Sequence, residues 1–80
     1  MRLPRNISGD ELAGLLAKFG YKPTRQTGSH LRLTTNRNGE HHLTIPRHST
    51  LKTGTLNGIL IDVAAYFKIS KESLVKELFS

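Results

Sequence analysis

His30-Leu31-Arg32-Leu33-Thr34-Thr35-Asn36-Arg37-Asn38-Gly39-Glu40-His41-His42-Leu43-Thr44-Ile45-Pro46 carries two alternating runs on either side of a turn. Successive side chains of a strand point to opposite faces, so Leu31 and Leu33 belong to a dry face and His30, Arg32 and Thr34 to a wet one. Asn38-Gly39 is the strongest hairpin signal in the chain. Beyond it Leu43 and Ile45 resume the dry side, and Pro46, lacking an N–H, closes the second strand. A third strand over residues 21–26 precedes these two through Thr27-Gly28, and Pro23 makes it an edge. The product is an antiparallel meander with one apolar face in need of cover.

The flanking segments supply that cover. Ser8-Gly9-Asp10-Glu11 reads as a capping box, in which the Ser8 hydroxyl and the Glu11 carboxylate each accept from the other residue's backbone N–H. Leu12, Leu15, Leu16 and Phe19 follow at helical spacing, and Gly20 suits the left-handed residue after the last turn, so a helix is expected over residues 8–19. Leu56, Ile59, Leu60, Val63, Ala64 and Phe67 mark a second amphipathic helix, capped by Thr53 or Thr55. Gly58 costs this helix roughly 1 kcal/mol relative to alanine, which suggests close approach to a neighbouring element. Ser70 opens a last short helix with Leu74, Val75, Leu78 and Phe79. The expected order is α-β-β-β-α plus a short C-terminal helix, an α+β domain with its helices on one side of the sheet. No repeat, low-complexity segment or linker divides it, so residues 1–80 are read as a single domain.

At 80 residues such a domain buries roughly 60% of the surface its unfolded chain exposes, enough for one thin core and not for a deep enclosed pocket. The absence of cysteine excludes disulfides and thiolate metal sites. Met1-Arg2-Leu3-Pro4-Arg5 lacks the apolar run of a secretory signal, and no stretch is long enough to span a bilayer; a soluble, cytoplasmic protein is expected, with no membrane partner. Twelve Lys and Arg against six Asp and Glu give a net charge of +6. All of that excess lies between Ala13 and Ile61, where Lys18, Lys22, Arg25, Arg32, Arg37, Arg47 and Lys52 face only Glu40. The four histidines fall in the same stretch. A segment of this kind attracts a polyanion, with marked salt sensitivity.

Metal spacing is poor: His41 and His42 are adjacent in a strand and point apart, and no carboxylate lies near His30 or His48 in sequence. No metal and no cofactor are expected. Ser29 precedes His30 and points the other way, so a serine–histidine nucleophile is not offered either. RNA cleavage asks for less. The substrate's 2′-hydroxyl is the nucleophile, and the protein supplies a base for its proton and cations for the phosphorane. Histidine titrates nearest to neutrality, and His30 with Arg32, Arg25 or Arg47 meets the minimum. For aromatic stacking on RNA only Tyr21 and Tyr66 are candidates; the three phenylalanines are assigned to the core.

Arg25-Gln26-Thr27-Gly28-Ser29-His30, then Leu43-Thr44-Ile45-Pro46-Arg47-His48, then Leu51-Lys52-Thr53-Gly54-Thr55-Leu56 with Ile59-Leu60, together resemble the HicA toxins of bacterial toxin–antitoxin systems. The resemblance runs over about residues 8–79. It implies a fold similar to the double-stranded-RNA-binding domain. It implies a metal-independent, ribosome-independent mRNA interferase whose catalytic residue is the histidine of Gly-Ser-His, here His30, and a HicB antitoxin that covers the active surface. On this reading Lys22, Arg25, Arg32, Arg47 and Lys52 are the cations that contact RNA, with Ser29 and His48 beside them. The chain departs from the family in a shorter His48–Leu51 loop and about four extra residues between Leu56 and Ile69, roughly one helical turn. Both bear on how an antitoxin docks. Two further readings use the same residues: an RNA-binding module of this fold without catalysis, and an adaptor whose basic face docks an acidic protein.

Overall fold

A computed structural model describes residues 3–80; Met1 and Arg2, part of the segment read above for a secretory signal, lie outside the described residues. The order is α1 (Gly9–Leu16), a 3₁₀ turn (Ala17–Phe19), β1 (Lys22–Thr27), β2 (His30–Thr35), β3 (His41–Pro46), α2 (Thr53–Phe67) and α3 (Lys71–Leu78). The strands form one antiparallel sheet in the order β1-β2-β3. This is the expected α+β, double-stranded-RNA-binding-domain-like arrangement.

Local chemistry accounts for most of the boundaries. At the start of α1 the Glu11 N–H donates to Ser8 Oγ at 3.0 Å and the Ser8 N–H to Glu11 Oε1 at 2.9 Å, so the capping box forms as read. Gly20 takes the left-handed conformation, φ +84°, after the last turn. β2 and β3 run in unbroken register from His30↔Pro46 to Thr35↔His41, so paired residues share a face throughout. All six residues of β1 are exposed, and its register slips between Pro23 and Arg25. The slip lies in the edge strand, where Pro23 has no N–H to give, and leaves the alternation of β2 untouched. Ser70 caps α3 by accepting from the Ser73 N–H at 3.0 Å.

Three expectations need correction. β1 starts at Lys22, not Tyr21; Tyr21 is 1% exposed and belongs to the core, so it is not available to stack on RNA. Neither Thr53 nor Thr55 caps α2: Lys52 holds the cap position without a side-chain bond, and Thr53 already lies inside the helix. Gly58 approaches nothing. It is exposed, and a β-carbon there meets no atom within 4 Å. The close glycine is Gly9, where a β-carbon would lie 1.9 Å from the Pro46 carbonyl oxygen.

One hydrophobic cluster joins Leu12 and Leu16 of α1, Leu33 of β2, Leu43 and Ile45 of β3, Leu56, Leu60 and Val63 of α2, and Leu74 and Leu78 of α3. Each fully buried leucine or valine contributes about 1.5–3 kcal/mol relative to exposure. Thr35 is the buried polar residue of the sheet, and its hydroxyl donates to the Phe19 carbonyl at 3.4 Å. The helices thus occupy one face of the sheet and leave the other open. No described helix is long and apolar enough to cross a membrane.

Candidate nucleic-acid interface

His30 is the first residue of the central strand, opposite Thr27 on β1 and Pro46 on β3. Gly28-Ser29 makes the two-residue link before it, with Gly28 at φ +56°, a conformation that favours glycine. The Arg47 N–H donates to the Ser29 carbonyl at 2.6 Å, tying this link to the end of β3. The position of His30 is therefore held by backbone on both sides. Its imidazole is exposed and makes no hydrogen bond or ion pair among the described residues.

On the open face His30 lines a shallow concavity of about 320 Å³ with Arg25, Thr27, Arg32 and Thr44. Arg25 and Arg32 are directly paired across β1 and β2. Like charges at paired positions repel, and neither guanidinium has a carboxylate partner among the described residues. A bound anion relieves that repulsion. The polar edges of Thr27 and Thr44 complete a lining able to bind a phosphate beside an imidazole.

The remaining sequence candidates are distributed differently. Lys22 lies on the same side of the sheet at its far end, in a second concavity with Gly20, Thr34, Thr35, Asn36 and Arg37. Arg47 is committed elsewhere: its Nε and Nη2 donate to the two carboxylate oxygens of Asp10 at 2.8 and 3.0 Å. The hydrogen bond holds the Asp10 carboxyl below the ordinary carboxylate range and raises Arg47 in turn. Ser29, His48 and Lys52 are exposed but do not line the concavity of His30. The His48 carbonyl accepts from the Gly9 N–H at 3.0 Å, so this residue's backbone docks the start of α1.

His42 sits on the open face, with Nδ1 2.8 Å from Thr34 Oγ1 and Nε2 3.5 Å from Glu40. His41 points the other way, into a network that sequence reasoning missed. Its Nε2 faces the Asp62 carboxylate at 3.2 Å and its Nδ1 the Tyr21 hydroxyl at 2.8 Å. A carboxylate only accepts, so Nε2 carries an N–H, and in the neutral ring Nδ1 accepts from the phenol. The ring stacks on Tyr66 with centroids 4.5 Å apart and planes within 12°. The Tyr66 hydroxyl in turn donates to the Gly39 carbonyl and accepts from the Asn38 N–H, closing the β2–β3 loop. Tyr66 is therefore engaged in structure. Among the described residues no three His, Cys, Asp or Glu side chains converge as a metal site would need.

The family profile described as HicA toxin of bacterial toxin-antitoxin matches residues 9–64, from the first residue of α1 to three residues short of the end of α2. No curated protein and no solved structure matches the chain. The matched span contains the whole sheet, the turn before His30 and both concavities. On this match the chain belongs to the HicA toxin family of bacterial toxin–antitoxin systems.

Proposed function

We propose that this protein is a cytoplasmic toxin that cuts mRNA without the ribosome and without a metal ion, with His30 as its catalytic residue. The observation that carries the reading is an exposed, unengaged imidazole lining one depression with two arginines from paired positions of adjacent strands. In the reaction His30 takes the proton of a ribose 2′-hydroxyl. The freed oxygen attacks the adjacent phosphorus, the bond from phosphorus to the 5′-oxygen breaks, and that oxygen takes a proton from water to leave as a 5′-hydroxyl, while His30 returns its proton to solvent. The other product is a 2′,3′-cyclic phosphate. Arg25 and Arg32 offset the charge that builds on the phosphorane. Arg47, held by Asp10, fixes the link before His30 through its backbone and is better placed to position the site than to reach substrate.

A HicB-type antitoxin that covers the open face would neutralise the toxin by excluding RNA, and the basic surface suits an acidic partner. The test is cleavage of a labelled RNA by the purified chain and by its His30→Ala variant. Wild-type cleavage that disappears in the variant, with RNA binding kept, supports the reading. Binding without cleavage in the wild type would make the chain an RNA-binding module. Binding to no RNA at any salt concentration would leave the adaptor reading.

A further inference from the structure

The open face continues well past His30. The concavity around His30 shares Arg25 and Arg32 with a second one lined also by Thr24, Thr34, Asn36, Glu40 and His42. That one shares Thr34 and Asn36 with the concavity of Lys22 and Arg37. The three depressions share lining residues in order along β2, following His30, Arg32, Thr34 and Asn36 on the open face, and the last turns round the end of the sheet toward Gly20, Thr35 and Arg37. At about 3.3 Å per residue this track is roughly 20 Å long, the length of about six stacked nucleotides and fewer if the strand is drawn out. We infer that the RNA is bound as a single strand laid along the open face of β2, from His30 to a second phosphate site at the end of the sheet, where Lys22 on that face and Arg37 at the rim line one depression. The inference rests on the RNA-cleaving reading and specifies its substrate.

The track's chemistry argues for unpaired RNA. Cations stand at both ends, Arg25 and Arg32 near His30 and Lys22 with Arg37 at the other; none has a carboxylate partner among the described residues. Between them Thr24, Thr34 and His42 form a hydrogen-bonded row, with 2.9 Å between the two threonine hydroxyls and 2.8 Å from Thr34 to His42. Glu40 also lines this middle section. A carboxylate repels phosphate but accepts from the exocyclic amines of bases, so base edges rather than backbone fit there. In an RNA duplex the exocyclic amines of adenine and cytosine lie in a major groove too deep and narrow for a side chain to read, so they come within reach in a single strand. In-line attack by a 2′-hydroxyl likewise needs a linkage able to rotate into alignment, which a regular helix restrains. Arg37 is held at the rim of the sheet, on the Thr35 side, by packing: a β-carbon on Gly20 would lie 2.6 Å from its Nε.

The experiment measures binding of fluorescent oligouridines of increasing length, and of an RNA duplex, to the His30→Ala protein at several salt concentrations. Affinity should rise with length to about six nucleotides and then level off, and the duplex should bind more weakly. Lys22→Ala and Arg37→Ala should each flatten the log–log salt dependence by about 0.7. Arg37→Lys should restore the slope. Lys76→Ala, on α3, should leave it unchanged, and Glu40→Gln should tighten binding to oligouridine. Tighter binding of duplex, or unchanged slopes in both Lys22→Ala and Arg37→Ala, would overturn the path while wild-type cleavage left the catalytic reading standing. Failure of the wild-type chain to bind any RNA would remove both.

Discussion

His30 and His41 open neighbouring strands of one sheet and lie at its opposite ends, His30 beside Pro46 and His41 beside Thr35. One is exposed on the helix-free face; the other is gripped by a phenol, a carboxylate and a stacked ring. The contrast separates two uses of an imidazole. A ring with every polar atom engaged joins elements together, here β3 to the segment before β1 and to α2. A ring left free beside surplus positive charge is stable only because water solvates it, and that same freedom lets it exchange a proton with a ligand.

Exchanging the fates of the two rings breaks the comparison most directly. His30→Ala should lower RNA cleavage by about 10²–10⁴-fold, the usual contribution of a positioned acid–base group. Its unfolding free energy should stay within about 0.5 kcal/mol of wild type, as at other exposed positions; gel-based cleavage and thermal melting give the two readouts. His41→Ala should do the reverse. It strands the buried Tyr21 hydroxyl and removes the stack on Tyr66, together about 2 kcal/mol. For a domain of this size that is a fall on the order of 10 °C in Tm. Cleavage per folded molecule should hold, and a His41→Ala protein that melts normally but no longer cleaves would reverse the assignment of roles.

Tyr21→Phe sharpens the same contrast at smaller amplitude. At neutral pH it should cost about 1 kcal/mol, the loss of one hydrogen bond. Burial, with Tyr66 and the Asp62 charge assisting, raises the Tyr21 phenol above its ordinary value of 10.0. The folded and unfolded states both keep the proton below that value. Above it the unfolded chain ionises first, so the stability tied to Tyr21 falls as pH rises. Melts of wild type and Tyr21→Phe should therefore converge on the alkaline side, and parallel curves would contradict the burial argument. The smallest effect belongs to Asp10→Asn at the other end of the sheet. The Arg47 guanidinium lowers the Asp10 carboxyl from 3.8, so the pair's stabilisation is present above that value and is lost as pH falls through the lower folded one. A slight Tm deficit at pH 7 should vanish in strong acid.

What was legible in the sequence was whatever is encoded within a few residues. The capping box of Ser8 and Glu11, the αL Gly20, the alternation on either side of Asn38-Gly39 and the cap at Ser70 all act over one turn or one strand, and all appear in the structure. The placing of His30 and Arg32 on the open face followed from period two alone. What escaped was tertiary. Tyr21 meets His41 across 20 positions, and Arg47 meets Asp10 across 37. Neither distance leaves a local trace, so His41 read as an ordinary strand residue and Arg47 as a free cation. Gly58 misled for a related reason: a glycine in a helix signals a possible close approach but not whether a neighbour is present. Arg37, at the far end of the track, was visible only as part of a basic stretch.

The contact between Gly9 and the Pro46 carbonyl has a genetic corollary. Any larger residue at that position must push the N-terminal end of α1 away from the end of β3, which also carries the bond from Arg47 to Ser29. The imidazole of His30 would be displaced without being mutated. A selection for cells that survive expression of this toxin should therefore recover alanine, serine or valine at codon 9 alongside changes at codon 30. Those survivors would produce a chain whose histidine is intact and whose harm is gone.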